Sequence, residues 1–173
     1  NTSIAGRHNV TFYVNNTIGR ITSQDDYFEA SGINQTVIFN IVDHNSDGVN
    51  LTMNIYLPGT GKEITEELFS GNLSTSYPGL IYDILLKPYD NNIEILLRDV
   101  NLTLDNNRTF GIEKLTTPVS GHLATYGINN SYTITNATLT LGYNDTVYSN
   151  ENNLQLHKCS NWDFTSQTCL GSW

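Results

Sequence analysis

Eleven asparagines lie two residues before a serine or a threonine, and this spacing is that of an N-linked glycan acceptor. In Asn-x-Ser/Thr, with x other than proline, the asparagine amide receives the sugar on exported proteins. A random arrangement of the 23 asparagines and 34 serines and threonines gives about four or five such triplets. Their asparagines are Asn1, Asn9, Asn15, Asn34, Asn50, Asn72, Asn101, Asn107, Asn129, Asn136 and Asn144. The excess predicts N-linked glycosylation, and with it an extracellular location.

The placement of the triplets supports the same prediction. In a strand, residues i and i+2 share a face, so an apolar middle residue points inward while asparagine and threonine point outward. This pattern is expected at Asn9 with Val10, Asn50 with Leu51, Asn101 with Leu102, and Asn136 with Ala137. Asn15, Asn72, Asn107, Asn129 and Asn144 fall near turns. The alternative is a bare polar β surface, since threonine favours strands and asparagine favours turns.

A second candidate site is the segment DHNSDG at residues 43 to 48. It matches the first half of a calcium loop, in which alternating oxygens surround the ion, and it makes Asp43, Asn45 and Asp47 candidate ligands. The twelfth position is Asn54 instead of the bidentate glutamate. A hairpin turn containing Asp-Gly explains the same letters, so both interpretations stay open.

The two cysteines, Cys159 and Cys169, are ten residues apart near the end of the chain. A disulfide between them would close a small loop and requires an oxidising compartment. Two separate buried thiols are the alternative. A structural metal site is disfavoured, because it would need four ligands or a CxxC pair.

No arrangement of residues indicates catalysis. The histidines His8, His44, His122 and His157 are spread along the chain without zinc-site spacing. There is no G-x-S-x-G elbow and no glycine-rich phosphate loop, and the adjacent acids Asp25/Asp26 and Glu66/Glu67 are typical of solvent-facing segments. We expect a protein that is not an enzyme and needs no cofactor, apart from N-linked glycans and the candidate calcium ion.

Charge and hydropathy exclude further partners. The net charge is −9, from 17 acidic and 8 basic residues, and the basic residues are scattered singly. Nucleic-acid binding depends on clustered cations and is therefore not expected. No run approaches the roughly 18 apolar residues of a membrane helix, and residues 1 to 20 lack the pattern of a signal peptide, which favours a mature or excised chain.

The elements that must position these residues are strands. Apolar residues alternate with polar ones through most of the chain, and turn-like clusters such as SDG and GYND separate the alternating runs. The runs at 79 to 86 and 92 to 97 are apolar on both faces and predict central strands. We predict one domain over residues 1 to 173, an all-β antiparallel β-sandwich of the Ig-like or jelly-roll-like kind, with roughly eight to eleven strands.

One segment predicts a short helix. In TGKEITEELFSG, the spacing of Thr60 and Glu63 fits a capping box, Ile64 and Leu68 share a helical face, and Gly71 follows as a stop.

The last forty residues contain NATLTLGYNDT, ENNLQLHKC, WDF, TC and a final tryptophan. This order resembles the terminal strands of β-sandwich modules in archaeal and related extracellular surface proteins, such as S-layer and pilus-like filament subunits. The resemblance implies that Leu154 and Leu156 face inward and that Trp162 and Trp173 flank a disulfide-closed terminal hairpin at 159 to 169. It also implies a structural cell-surface role, with copies of the same chain as partners.

In such filaments an N-terminal segment of one copy completes the sheet of the next. Residues 1 to 22 would be that donor or linker strand, and an ordinary first strand is the alternative. A different function remains open, namely a secreted adhesin or carbohydrate-binding module that uses loop tyrosines. Those tyrosines are Tyr77, Tyr89, Tyr126 and Tyr143. A secreted hydrolase is a third interpretation.

Overall fold

The computed structural model describes the backbone of residues 6–15, 21–30, 34–89, 92–142 and 151–173, and the side chains of residues 34–89, 92–142 and 152–173. Asn1, Asn144 and Tyr143 lie outside the described residues, and the side chains of Asn9 and Asn15 are also outside them. The strands are β1 (Gly6–Asn15), β2 (Ile21–Ala30), β3 (Asn34–Val42), β4 (Asn50–Tyr56), β5 (Glu63–Ser70), β6 (Asn72–Pro78), β7 (Ile81–Pro88), β8 (Ile93–Asn101), β9 (Asn107–Lys114), β10 (Tyr126–Asn130), β11 (Asn136–Leu141), β12 (Trp162–Asp163) and β13 (Thr168–Cys169).

Two packed sheets form the body of the molecule. One has the strand order β10-β9-β3-β6 and the other the order β11-β8-β7-β4-β5. The pairs are antiparallel except that β3 runs parallel to β9. The prediction of an all-β sandwich is confirmed, with one parallel pair that periodicity did not indicate. Within the described part of the chain, no helix is long and apolar enough to cross a membrane.

The core lies between the inner faces of these two sheets. The strand β3 contributes Val37, Phe39 and Ile41, and every second residue of β4, from Leu51 to Ile55, is fully buried. The strands β7 and β8 pair at the centre of the five-stranded sheet, as their apolar runs predict. Alternation thus gives each sheet an apolar inner face and leaves a mostly polar outer face for solvent.

The predicted helix between Thr60 and Gly71 is wrong. Residues 63 to 70 form β5, which pairs with β4 at the edge of the five-stranded sheet. Thr60 caps a turn, because its hydroxyl donates to the Leu57 carbonyl and accepts the Lys62 amide hydrogen. Glu67 then points inward and Leu68 outward, where it is 67 % exposed, so this strand has no apolar alternation that could reveal it.

Two inward-facing predictions are wrong, because Leu154 and Leu156 lie outside any strand and are 37 % and 83 % exposed. Ala137 pairs with buried Leu97 and so has the predicted inward orientation, but it is not buried. The strand β11 is an edge strand that the opposite sheet does not cover. The inward positions of Leu51 and Leu102 are confirmed, since both are fully buried.

The N-terminal strands form a sheet of their own. Over ten residues each, β1 and β2 pair in antiparallel register from Gly6 with Ala30 to Asn15 with Ile21. Among the described strands, neither pairs with the two main sheets. The predicted donor segment therefore includes one complete strand whose described partner is a hairpin neighbour.

Candidate functional site

Seven of the predicted glycan acceptors lie in residues with described side chains, and none is buried. Asn101 is half-buried and the other six are exposed. The exposed six are Asn34, Asn50, Asn72, Asn107, Asn129 and Asn136. Their amides are therefore within reach of a modifying enzyme or of an attached sugar.

Four acceptors share one surface, the outer face of the four-stranded sheet. Asn34 has the opposite orientation to the buried Val37, and Asn107 has the opposite orientation to the buried Phe110. Asn72 alternates with inward Leu73 in β6, and Asn129 pairs with Gly111 on the outer side of β9. Each strand of this sheet thus carries one acceptor.

Residues of three acceptor triplets make local hydrogen bonds. The Asn72 amide nitrogen donates to Asn40 Oδ1 over 2.5 Å, across the β3–β6 pair. Asn101 Oδ1 accepts the Thr103 amide hydrogen at 3.0 Å and so closes an Asx turn. In the Asn129 triplet, the Ser131 hydroxyl donates to the Thr109 carbonyl at 2.5 Å. The contacts of Asn72 and Ser131 lie on the outer face of the four-stranded sheet and leave its acceptors exposed, whereas the Asn101 turn is at the end of β8 in the other sheet.

The candidate calcium loop is folded as a tight turn that is closed by one antiparallel bridge between Val42 and Gly48. Asp43 Oδ1 accepts the amide hydrogens of Asn45 and Asp47 at 2.8 and 2.9 Å, and Ser46 has a positive φ of 67°. The turn leads from β3 in one sheet to β4 in the other, and the Asp43 carboxylate stabilises it. The described residues contain no cluster of three or more metal-binding side chains. Calcium binding by Asp43, Asn45 and Asp47 stays a prediction.

The C-terminal segment is a small hairpin, β12 paired with β13, and the Cys159–Cys169 disulfide is confirmed. Asp163 caps its turn by accepting the amide hydrogens of Thr165 and Ser166, and the Ser166 hydrogen bonds lower the pKa of that carboxyl. The hairpin places Phe164 against Gly111 and Trp162 against Gly127. It therefore covers the outer side of β9 and β10 at one end of the acceptor surface.

The same hairpin completes an aromatic cluster that the sequence spacing did not reveal. The Trp173 ring lies 4.9 Å from the His122 ring and 6.1 Å from the Trp162 ring, and the His157 ring lies 5.5 Å from His122. These residues come from three separate segments. Beside them is a cavity of about 680 Å³. Only the fold brings them together, and no local motif signals it.

The predicted sugar-stacking tyrosines are not equivalent. Tyr77 is 7 % exposed and belongs to the core, so it does not serve as a loop platform. Tyr89 is 57 % exposed. Tyr126 is half-buried, its hydroxyl donates to the Gly142 carbonyl at 2.5 Å, and burial raises its pKa. The stacking surface offered by the described structure is therefore the Trp173 cluster and not a set of tyrosines.

An unfilled strand position lies between β10 and β11. Thr125 and Ser131 lie just before and just after β10. The Ser131 backbone amide donates to the Thr109 carbonyl, and the Leu115 backbone amide donates to the Thr125 carbonyl. Because the bonding alternates along an antiparallel pair, the odd-numbered residues of β10 bond to β9. The backbone groups of Tyr126, Ile128 and Asn130 consequently point away from β9. Opposite them, two residues on the inner face of β11 are exposed, Ala137 and Leu139, the latter to 45 %, while Leu141 at the end of the strand packs against the core. Among the described strands, β10 pairs with β9 alone.

No protein-family model, curated protein or solved structure matches this chain.

Proposed function

We propose that the chain is an N-glycosylated, non-enzymatic structural protein of the cell surface, whose copies assemble into an extracellular filament by strand addition. The carrying observation is the unfilled strand position beside β10, which combines an open backbone edge with an uncovered apolar face. Strand addition satisfies both at once, because the incoming backbone bonds to the edge while alternate side chains cover the apolar face.

The position is bounded by β10 on one side and by β11 on the other. Tyr126, Ile128 and Asn130 present the backbone edge, and Ile128 also packs on the core. On the other side, Ala137 and Leu139 belong to the face that includes the buried Ile95, since Leu139 pairs with it. An added strand would extend the four-stranded sheet to five and match it to the opposite sheet.

The proposed donor is β1 of a second copy. Its sequence, GRHNVTFYVN, alternates Val10, Phe12 and Val14 with polar residues and contains no carboxylate. The whole chain has a net charge of −9, so copies repel each other. The strand β1 contains Arg7 and no acidic residue, so it is positively charged and its insertion reduces that repulsion. In the described structure β1 pairs only with β2, which leaves its other edge for a neighbour.

The acceptor asparagines and the disulfide support the extracellular part of the proposal. Six exposed acceptors suit an exported protein, and the disulfide of the terminal hairpin suits an oxidising compartment. Glycans on the outer face of the four-stranded sheet would also keep that face from pairing with other molecules, which leaves the strand position as the route of assembly.

The decisive experiment compares Phe12→Asp with Tyr13→Asp. Both replace an aromatic residue by a carboxylate, but the two positions lie on opposite faces of β1. We expect polymers from the unmodified chain and from Tyr13→Asp, and monomers from Phe12→Asp, as measured by light scattering and electron microscopy of native material. Polymers of normal length from Phe12→Asp would contradict the proposed donor.

The acceptor side is tested by Ile128→Pro against Ile128→Val. The Ile128 amide points to the open edge, so proline removes a donor only from the incoming strand and not from the β9 ladder. Loss of polymers with proline and their retention with valine is the expected result. Equal assembly of the two variants would place the contact elsewhere.

A further inference from the structure

The cavity beside the C-terminal hairpin adjoins the proposed strand position, since Tyr126 lines both, but most of its walls lie outside β10 and β11. Its volume of about 680 Å³ lies inside the range of roughly 300–1,000 Å³ that is typical of small-molecule sites. The segment from Gly121 to Tyr126, the end of β11, and residues 153 to 157 form its walls. Trp173 lies at its boundary and is 43 % exposed.

The chemistry of the walls indicates a neutral ligand. The chain has a net charge of −9, yet the described lining contains no aspartate, glutamate, lysine or arginine. Its polar side chains are two amides, two hydroxyls, two imidazoles and the indole of Trp173, from residues such as Gln155, Thr125 and His157. A charged ligand would lose water here without gaining an opposite charge, which is unfavourable. Uncharged donors and acceptors instead match a ligand rich in hydroxyl groups.

The aromatic cluster adds a flat apolar surface to these polar groups. His122 packs at 4.9 Å from Trp173, and Trp162 approaches its ring at 62°. The indole is thereby held by two neighbours while much of it stays exposed. A ligand that is apolar on one face and polar at its rim complements a surface of this kind, and a hexopyranose ring has both properties.

We propose that this cavity binds a neutral hexose unit of an oligosaccharide, with the sugar ring stacked on Trp173 and its hydroxyls bonded to the amide and imidazole groups of the walls. A neutral hexose unit of this kind could be supplied by two kinds of molecule. It is either a glycan on a neighbouring copy, which rests on the proposed glycosylation, or a polysaccharide from outside.

The test uses the full glycoprotein and neutral trisaccharides, namely maltotriose, mannotriose and cellotriose, with trigalacturonate as a charged comparison. Binding is followed by saturation-transfer NMR and tryptophan fluorescence. Glycans released from the protein itself form a second arm. We expect neutral sugars to bind and trigalacturonate not to. Binding of released glycans alone would assign the site to neighbouring copies, and binding of the trisaccharides alone would assign it to an outside polysaccharide.

The variants isolate the stacking residue. Trp173→Ala is expected to weaken binding at least about tenfold, whereas Trp173→Phe keeps most of it. Leu170→Ala is the matched control, because Leu170 is 64 % exposed near the same hairpin and does not line the cavity. His157→Ala removes an exposed wall residue and provides a second reduction in affinity if Trp173→Ala disturbs the hairpin.

Two results would overturn the proposal. One is the absence of binding by every neutral sugar and by the released glycans. The other is unchanged affinity in both Trp173→Ala and His157→Ala. If no sugar binds and Trp173→Ala also abolishes polymers, the cavity receives a peptide from a neighbouring copy instead. The Phe12→Asp monomer should still bind sugar, so failure of the filament proposal and failure of the sugar site are distinguishable.

Discussion

At the scale of single residues, Gly111 and Gly127 determine where the C-terminal hairpin can lie. A Cβ atom on Gly111 would be 2.7 Å from the Phe164 ring, and one on Gly127 would be 2.9 Å from Trp162 Nε1. Neither glycine has a positive φ, so the requirement is for space and not for backbone conformation. Because both glycines lack a side chain, the rings of Phe164 and Trp162 can pack directly on the backbone of β9 and β10.

We predict that Gly111→Ala displaces the hairpin and lowers the free energy of unfolding by about 1–3 kcal/mol, the usual cost of overpacking. In a Phe164→Ala background the same substitution should cost much less, because the clashing ring is gone. Thermal unfolding and tryptophan fluorescence measure both effects. An equal cost in the two backgrounds would show that Phe164 does not occupy the space above Gly111.

Tyr77 gives a prediction on pH. Burial raises the pKa of its hydroxyl from 10.0 to about 12, with a further contribution from Glu67. The folded state therefore keeps a proton that the unfolded state loses near pH 10. The stabilisation is complete below pH 10 and is lost as the pH rises from 10 towards 12, at up to about 1.4 kcal/mol per pH unit.

The matched variant is Tyr77→Phe. Thr65, Thr75 and Glu67 lie near the Tyr77 hydroxyl, but none of them meets it at full hydrogen-bonding geometry, so removal of the hydroxyl should change stability little at pH 7. Between pH 10 and 12 the variant should lose less stability than the unmodified chain, as measured by urea unfolding. Buried Tyr132, whose pKa is also raised by burial, leaves part of the alkaline loss in place. A parallel loss in both proteins would contradict the shift at Tyr77.

At the scale of elements, sequence periodicity predicts the strands that bury one apolar face in the core. It misses strands that form mainly because a neighbouring strand offers them backbone hydrogen bonds. The alternation of Val37, Phe39 and Ile41 predicts β3, because the opposite sheet covers that face. In β5 the inward positions include Glu67, and the strand exists because β4 offers it a free edge. The backbone pairing of β4 with β5 is a tertiary contact, and the local β propensity of residues 63 to 70 does not predict it.

The same distinction applies to the candidate sites. An acceptor triplet can be recognised in the sequence because its residues are consecutive. A cysteine pair can be recognised because the thiol is the side chain that forms disulfides. The parallel pairing of β3 with β9, which brings Asn107 level with Ile38, depends on a long connection. The meeting of His122 with Trp173 depends on where the terminal hairpin lies. Neither leaves a periodic signal.

The exposed inner face of β11 leads to a prediction at this scale. Leu139 faces the unfilled strand position and Thr140 faces the opposite way, since they pair with buried Ile95 and with exposed Glu94 respectively. Leu139→Lys should therefore abolish polymers while changing monomer stability by less than about 1 kcal/mol, because the side chain is already 45 % exposed. Thr140→Lys is the matched control, because Thr140 is exposed and outside any acceptor triplet, and it should leave assembly intact. Light scattering and thermal unfolding provide the two measurements.

At the scale of the whole molecule, the two surfaces of the sandwich differ in chemistry. The outer face of the four-stranded sheet carries one acceptor on each strand. The five-stranded sheet carries three acceptors, namely Asn50 at the start of β4, Asn101 at the end of β8 and Asn136 on the edge strand β11, while its central strand β7 has none. Glycans would thus lie on every strand of one sheet, but only at strand ends and at an edge of the other. The middle of the five-stranded sheet would be the barer part of each copy.

The intact mass tests this arrangement most directly. Native protein should exceed 19.3 kDa, the mass of the bare chain, and deglycosylation should restore that value. Asn107→Gln should remove the mass of one glycan, because it destroys an exposed acceptor on β9. Asn106→Gln is the matched control, since the neighbouring exposed asparagine is outside any triplet and its loss should leave the glycan mass unchanged. Equal glycan masses for both variants would show that Asn107 is unoccupied, and a native mass of 19.3 kDa would remove the glycoprotein proposal altogether.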